Sequence, residues 1–119
     1  MAKEKSQIIA DLNLVPKGYI VTTLHGQENV DNIERLKDII YALGHLIREF
    51  GYKIVFPVHP RTLTRIKEFG IKLNDSIEAI KPLGFFDFLC LEENAKLVMT
   101  DSGGVQEECC ILKVPCVTL

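Results

Sequence analysis

The stretch AKLVMTDSGGVQEECCIL, residues 95–112, contains the pattern on which the fold depends. Its apolar opening predicts a buried strand over 95–101. Ser102 then stands where a helix N-cap is expected, and a helix is predicted from about Gly103 to Leu112. We therefore expect a strand that turns sharply into a helix at this point of the chain.

The same alternation of strand and helix runs through the rest of the sequence. β-Branched and apolar runs predict four further strands, over 18–25, 52–59, 76–83 and 114–119. Helical periodicity predicts helices over about 31–50, 60–70 and 85–94, after an N-terminal helix and lead-in over 1–17. Asp31 with Glu34 is predicted to form the capping box of the long helix, and Gly51 to end it.

Strands that alternate with helices indicate an α/β fold with a parallel sheet covered on both faces. Right-handed crossovers favour a doubly wound, Rossmann-like sheet of five strands in the order 3-2-1-4-5. The switch point then lies between the first and fourth strands, whose carboxyl ends carry His25 and Asp101-Ser102. Because ligands bind at such switch points as a rule, we expect the binding crevice there.

Composition narrows the classes of function. A chain of 119 residues predicts one domain over 1–119, and a net charge of −2 argues against nucleic acid or an anionic membrane as partner. No apolar run approaches ~20 residues, so no membrane span is expected, and the N-terminus lacks a secretory signal pattern. The four cysteines match no metal-binding spacing and predict reduced thiols in the cytoplasm. Neither a metal nor another cofactor is expected.

The Ser102-Gly103-Gly104 turn predicts an anion site. Free backbone N–H groups and the helix dipole attract negative charge, and glycine allows a ligand to approach the backbone. Glycine costs about 1 kcal/mol relative to alanine inside a helix, which a plain connection has little reason to bear. We therefore favour phosphate binding over a plain connection. Glu107 or Glu108 would either accept hydrogen bonds from ribose hydroxyls or be a solvated acid that suits the dipole.

Two histidines and an aromatic group leave alternatives open. His25 ends the first strand and would either face the phosphate site or have a structural role, and the residues do not separate the two. His59, followed by Arg61, could meet an anionic sugar nucleotide, although a polar loop is favoured. Of the three aromatics before the fourth strand, one could stack on a base, but a core position is favoured for them. These aromatics are Phe85, Phe86 and Phe88.

Four stretches together carry a family resemblance. They are TLHGQEN (23–29), VFPVHPRT (55–62), PLGFFDFLCL (82–91) and TDSGGVQEE (100–108). In this order and spacing they resemble the non-hydrolysing UDP-N-acetylglucosamine 2-epimerases, from about Tyr19 onward. That family has two Rossmann-like domains in the GT-B arrangement, with the active site between them. The chain resembles part of the second, UDP-binding domain, so the resemblance implies one half of a GT-B arrangement.

The resemblance also implies a partner and a role for each matching residue. The partner would be UDP or a UDP-N-acetylhexosamine. The diphosphate would be bound by Ser102, Gly103 and Gly104, with His25 beside it. The ribose hydroxyls would be bound by Glu108, and the uracil would be contacted by Phe88 together with Phe85. His59 matches a residue of a second, allosteric UDP-sugar site. The carboxylates that move the proton in the family lie in the first domain. Since acid–base catalysis needs groups within hydrogen-bond reach, the chain alone is expected not to epimerise.

Departures from the family pattern leave other functions open. Gly26 stands where the family typically has Arg, and Cys109 where it usually has Ala, while the sequence ends at Leu119 directly after the fifth strand. These features predict a truncated and engineered chain. One alternative is a hydrolase on this scaffold with Ser102 as nucleophile and His25 as base, or, less favoured, with Cys109 as nucleophile. Another is a non-catalytic scaffold domain that forms a homodimer through exposed apolar surface.

Overall fold

The computed structural model describes residues 7–24, 31–73 and 75–118. Within these residues five helices alternate with five strands. In chain order they are α1 (Ile8–Asp11), β1 (Tyr19–Thr23), α2 (Ile33–Phe50), β2 (Lys53–Pro57), α3 (Pro60–Glu68), β3 (Ile77–Ile80), α4 (Phe85–Glu93), β4 (Leu97–Thr100), α5 (Gly103–Leu112) and β5 (Cys116–Thr118). The predicted strand ends are one to three residues too long, except that the predicted end of β5 at Leu119 lies outside the described residues. The predicted bounds of α5 are confirmed.

The five strands form one parallel sheet in the order β3-β2-β1-β4-β5, which confirms the predicted order and the edge position of β3. β1 lies at the centre, where Val21 is level with Val55 of β2 on one side and with Val98 of β4 on the other. All five residues of β1 are buried, as expected for a parallel strand with helices on both faces. The carboxyl ends of β1 and β4 therefore lie side by side.

The helices divide between the two faces of the sheet because successive strand side chains point to opposite faces. On one face Tyr19, Val21 and Val98 pack with Leu91 of α4 and Cys109 of α5. On the other face, Ile20 of β1 and Phe56 of β2 pack with the apolar stripe of α2. That stripe contributes Leu36, Ile40 and Leu43. The sheet is thus covered on both faces, which is the doubly wound arrangement that the sequence predicted.

The start of α2 differs from the prediction. Asn32 is the N-cap, and its Oδ1 accepts hydrogen bonds from the backbone N–H groups of Glu34 at 3.0 Å and Arg35 at 3.2 Å. The capping box of Asp31 with Glu34 is therefore wrong, and Asp31 instead pairs with Arg65 at 3.5 Å. Both residues are good caps, and the one whose backbone is extended at the helix start takes the role.

The C-terminal end of α2 agrees with the prediction, and the N-terminal helix is described only in part. Gly51 ends the helix with a φ of +72°, and its N–H donates to the Ile47 carbonyl at 2.8 Å, which confirms the predicted stop. The predicted N-terminal helix is seen only over Ile8–Asp11, since residues 1–6 lie outside the described ranges. Among the helices described, none combines the length and apolar character needed to cross a membrane.

Two side chains tie the C-terminal turn of α4 to the segment around β1. The Tyr19 hydroxyl donates to the Leu91 carbonyl at 2.5 Å, and both groups are buried. The Lys17 ammonium donates to the carbonyls of Glu93 at 3.0 Å and Ala95 at 3.2 Å, which is a favourable place for a cation because helix C-termini are partly negative. The last turn of α4 is therefore held from two directions.

Candidate functional site

A pair of buried threonines joins the carboxyl ends of β1 and β4. Thr23 is level with Thr100, and their Oγ1 atoms lie 2.7 Å apart. The Thr100 Oγ1 also accepts the backbone N–H of Ser102 at 3.0 Å. This chain of hydrogen bonds fixes the turn out of β4 relative to β1. His25 comes two residues after Thr23, and with Gly26 it lies outside the described residues.

Ser102 caps α5, as predicted. Its backbone is extended, with φ −99° and ψ 125°, and its Oγ accepts the N–H of Val105 at 3.4 Å. Its carbonyl accepts the N–H of Gln106 at 3.1 Å, which is the first hydrogen bond of the helix. The hydroxyl is thus engaged as a helix cap, and with His25 undescribed the proposed Ser102–His25 pair of a hydrolase is not tested.

Among the described residues, no contact requires the two residues that follow Ser102 to be glycine. Both are exposed. A Cβ on Gly103 would meet nothing within 4 Å, and one on Gly104 would meet only the Ser102 Oγ, at 3.8 Å. Neither is among the described glycines with positive φ, which are Gly51 and Gly70. Among the described residues, little lies beside these two exposed glycines, which suits the close approach of an anion to their backbone.

A buried carboxyl lies beneath the second turn of α5, and no local pattern in the sequence predicts it. Glu92 of α4 is 0% exposed, and the Cys109 Sγ lies 3.7 Å from its Oε2. Burial, with added contributions from hydrogen bonding and charge of the nearby Glu108 carboxyl, raises the pKa of Glu92 to about 8, against an opposing effect of the Cys109 thiol. Among the described residues, the Glu92 Oε1 has no hydrogen-bond partner.

Cys109 is unsuited to the role of nucleophile. It is 0% exposed. Burial, and after it the neighbouring Cys116 and Glu92, raises the pKa of its thiol to about 12. Since the thiolate is the reactive form, a buried thiol that stays protonated is inert. The cysteines Cys90, Cys109, Cys110 and Cys116 are all free. The Cys109 hydrolase is therefore disfavoured by the geometry.

His59 has a structural role at the end of β2. It is the N-cap of α3, where its Nδ1 accepts the N–H of Arg61 at 3.1 Å and Pro60 occupies the first turn. It lies two strands away from β4, which is roughly 10 Å along the sheet edge. A polar loop was the favoured interpretation, and the structure gives it a more specific form, a helix cap. Its contact with a sugar nucleotide stays a prediction.

The aromatics of α4 divide into a core residue and two surface residues. Phe88 is half-buried and packs against the core cluster beneath α4. Phe85 and Phe86 are 65% and 54% exposed, and their rings meet edge to face at 5.5 Å. The core expectation is therefore wrong for these two. The helix α4 starts where β3 has ended, so all three aromatics lie toward the same edge of the sheet as Ser102.

A cavity of about 660 Å³ lies elsewhere, between α2 and the segment that leads into β3. Its lining mixes charges of both signs with exposed Tyr41. Because 70–75 precedes β3, this cavity is at the amino ends of the strands, opposite the threonine pair. Parallel α/β sheets bind ligands at the carboxyl ends, so the edge that carries Ser102 is the stronger candidate.

Comparisons with known proteins agree on one family. The model of the family described as UDP-N-acetylglucosamine 2-epimerase matches residues 1–119. A UDP-N-acetylglucosamine 2-epimerase of Methanocaldococcus jannaschii is 47% identical over all of the chain and 34% of its own length. A UDP-2,3-diacetamido-2,3-dideoxy-D-glucuronate 2-epimerase of Pseudomonas aeruginosa is 40% identical over 86% of the chain and 28% of its own length.

A solved structure extends the likeness to the fold. The crystal structure of the Methanocaldococcus jannaschii UDP-GlcNAc 2-epimerase in complex with UDP-GlcNAc and UDP matches with a TM-score of 0.88 and 49% identity. The match covers 99% of the chain and 34% of that protein. The chain thus spans about a third of the length of these relatives.

Proposed function

The chain belongs to the UDP-N-acetylglucosamine 2-epimerase family, and from this premise we propose that it is the UDP-binding part of a UDP-GlcNAc/UDP-ManNAc 2-epimerase. As a single Rossmann-like domain it would supply one wall of the crevice of a GT-B arrangement. The ligand would be UDP or a UDP-N-acetylhexosamine, bound at the carboxyl ends of β1 and β4. The proposal is therefore a nucleotide-binding function, with the chemistry of the sugar placed outside this chain.

The observation that carries the proposal is the open first turn of α5. Gly103 and Gly104 are exposed, and nothing in the described packing requires the absence of a side chain at either position. A helix N-terminus with exposed N–H groups stabilises the charges of a diphosphate. The threonine pair at the ends of β1 and β4 keeps this turn in a fixed place. The same position in the sheet is the usual ligand crevice of the fold.

The remaining contacts are proposed from the resemblance of the motifs to the family. Glu108 is half-buried on the second turn of α5 and would accept hydrogen bonds from the ribose hydroxyls. Phe88, together with the exposed Phe85, would contact the uracil at the start of α4. His25 would lie beside the diphosphate. His59 would contact a second sugar nucleotide through the part of its ring that the helix cap leaves unused.

The names of the relatives favour the nucleotide as the ligand of this part. One acts on UDP-N-acetylglucosamine and another on a UDP-linked diacetamido glucuronate, so their substrates share UDP and differ in the sugar. A site that contacts the diphosphate, ribose and uracil would serve both. We therefore assign UDP to this chain and leave the choice of sugar to the rest of the protein.

Epimerisation by this chain alone is not expected. The fully buried Glu92, the one described carboxyl whose pKa is raised, cannot touch a sugar carbon. General acid–base catalysis needs groups at hydrogen-bond distance from the proton they move. The proposal further includes a cytoplasmic location, which suits four free thiols, and a homodimer through exposed apolar surface. That the chain is truncated and engineered stays a prediction, as do the Ser102–His25 hydrolase and the non-catalytic scaffold.

Calorimetric titration of UDP into the 119-residue chain tests the proposal. We expect saturable binding by millimolar UDP. ADP should bind more weakly because its base differs, and uridine should bind more weakly still because it lacks the diphosphate. No heat with millimolar UDP would overturn the proposed function of this chain. Equal affinities for UDP and uridine would show that the site does not bind the diphosphate. Incubation with UDP-GlcNAc in D₂O, followed by proton NMR, should show no exchange at C2.

A further inference from the structure

Glu92 is a buried acid that the proposed nucleotide site leaves unexplained. It is 0% exposed on the inner side of α4, where an ionised carboxylate without a cation would be very costly. A protein that retains a carboxyl in such a place bears a cost that methionine or leucine would avoid. A buried polar group without a full set of partners therefore calls for an explanation beyond packing.

The two carboxyl oxygens of Glu92 differ in their contacts. The Cys109 thiol lies 3.7 Å from Oε2, which leaves Oε1 as the oxygen without a partner among the described residues. A protonated carboxyl is a donor as well as an acceptor, so a proton on Oε1 needs an acceptor. The carboxyl of Glu108 is the neighbour that interacts with Glu92 by both hydrogen bonding and charge.

The charged and titratable groups near Glu92 come from several elements. From α5 Glu108 and Cys109 interact with it directly, and from β5 Cys116 interacts with Cys109. The nearby cation, Lys17, is engaged with the carbonyls of Glu93 and Ala95. Because that contact and the Tyr19 bond to Leu91 flank Glu92 in sequence, the Glu92 backbone is held firmly. Glu108 is half-buried on α5.

We propose that Glu92 is a positioning residue, whose protonated carboxyl donates a hydrogen bond to the Glu108 carboxylate and holds it ready to accept the ribose hydroxyls of UDP. This inference rests on the proposed function, in which Glu108 binds the ribose. The Glu92 side chain reaches α5 at Cys109, the residue next to Glu108, and the Glu92 Oε1 is the oxygen left for a further partner. One oxygen of Glu108 would take the proton of Glu92, and its remaining lone pairs would face the ribose.

Two substitutions of Glu92 separate the hydrogen bond from the packing. E92Q keeps an N–H donor of the same shape and cannot ionise, whereas E92M fills the space without a donor. At neutral pH we expect E92Q to bind UDP like the unmodified chain, and E92M to bind about fivefold to tenfold more weakly, the usual effect of one lost hydrogen bond. E93Q, one residue along the same helix, is the matched control and should bind normally. Circular dichroism melting verifies that each variant is folded.

A nucleotide without ribose hydroxyls decides whether the effect passes through Glu108. With 2′,3′-dideoxy-UDP the unmodified chain and E92M should have equal affinity, because nothing remains for Glu108 to accept. A loss in E92M of the same size for both nucleotides would assign Glu92 to structure alone and overturn the inference. Equal UDP affinity of the unmodified chain and E92M would overturn it as well, and so would an E92Q as weak as E92M.

The pH dependence gives an independent readout. Above about pH 8 Glu92 ionises, and two carboxylates then repel each other. The ratio of UDP affinities between E92Q and the unmodified chain should therefore rise with pH, whereas ionisation of UDP itself cancels in that ratio. A ratio that stays constant from neutral to alkaline pH would contradict the inference while leaving UDP binding intact. Absence of UDP binding in the unmodified chain would instead remove the proposed function, and the inference with it.

Discussion

The helices α3 and α5 start at the same edge of the sheet, yet their first turns differ in what they offer a ligand. α3 begins with the His59 cap and Pro60, whose ring removes one of the free backbone N–H groups. α5 begins with Ser102 and two glycines, which leave the N–H groups exposed and the space beside them open. Both helices thus start at the same edge of the sheet, and the residues of the first turn distinguish them as candidate anion sites.

The buried sides of the two helices differ as well. α3 turns Thr62 and Ile66 toward the core. α5 turns Val105 and Cys109 inward, and Cys109 contacts the buried carboxyl of Glu92. An ionisable group thus lies beneath the second turn of α5, and its protonation links the stability of this side of the domain to pH. Four experiments test the comparison, in order of decreasing effect.

The largest expected effect is on stability against pH. The pKa of Glu92 is about 8 in the folded chain against an ordinary 4.5, so the folded state holds the proton more tightly between these values. Its contribution to stability is complete below about pH 4.5, falls by up to about 1.4 kcal/mol per pH unit, and is lost above about pH 8. Urea unfolding at several pH values should show this decline, and E92Q should lack it. Equal slopes in both chains would contradict the assignment.

The second effect comes from a charge placed in each cap. Aspartate caps a helix as well as serine does and suits the dipole, so S102D should keep the melting temperature. Its carboxylate would repel the diphosphate, and we expect UDP affinity to fall by roughly a hundredfold, about 2.7 kcal/mol. H59D places the same charge at the start of α3 and should leave UDP binding at the α5 site nearly unchanged. If calorimetry finds similar losses in both variants, the distinction between the two starts fails.

The third effect tests the glycines. G103A and G104A introduce Cβ atoms that the chain itself accommodates, so stability should rise by about 0.5 kcal/mol. The same methyl groups would stand between the backbone and the diphosphate, and UDP affinity should fall at least about tenfold. G44A, inside α2, is the control for a glycine replaced in a helix, since its Cβ would meet the Arg48 guanidinium at 3.9 Å. Unchanged UDP affinity in both α5 variants would argue against binding at this turn.

The smallest effect concerns the cap of α3. H59A removes the imidazole that accepts the N–H of Arg61, and its cost should be about 0.5 to 1 kcal/mol of stability. UDP affinity at the α5 site should be unchanged. Thermal unfolding measures the first quantity and calorimetry the second. A large fall in UDP affinity would show that His59 belongs to the nucleotide site instead.

Local signals explain what the sequence predicted correctly. The order of the strands follows from their alternation with helices and from the right-handed crossover, both of which act over neighbouring elements. The cap at Ser102 was predicted because a small polar residue between an apolar run and a helix is well suited to be the N-cap of that helix. The cap of α2 was misplaced because Asp31 and Asn32 are both suitable, and only the backbone conformation chooses between them.

The inner face of α4 could not be read from its sequence. The sequence favours a core position for Phe85, and Glu92 is an ionisable residue, yet Phe85 is 65% exposed and Glu92 is 0% exposed. The helix is apolar on much of its circumference, so periodicity does not select one face. Which face is buried depends on the neighbours, and Tyr19 and α5 are far away in sequence.

The sequence by itself determined the α/β class, the strand order, the family, and the position of the Ser102-Gly103-Gly104 turn at a switch point. These depend on periodicity, turn residues and motifs, which are properties of short segments. Tertiary structure alone decided that Thr23 and Thr100 join two strand ends and that Glu92 lies beneath Glu108 and Cys109. Such contacts join residues 16 to 77 positions apart, and burial in a shared core, rather than any local pattern, brings them together.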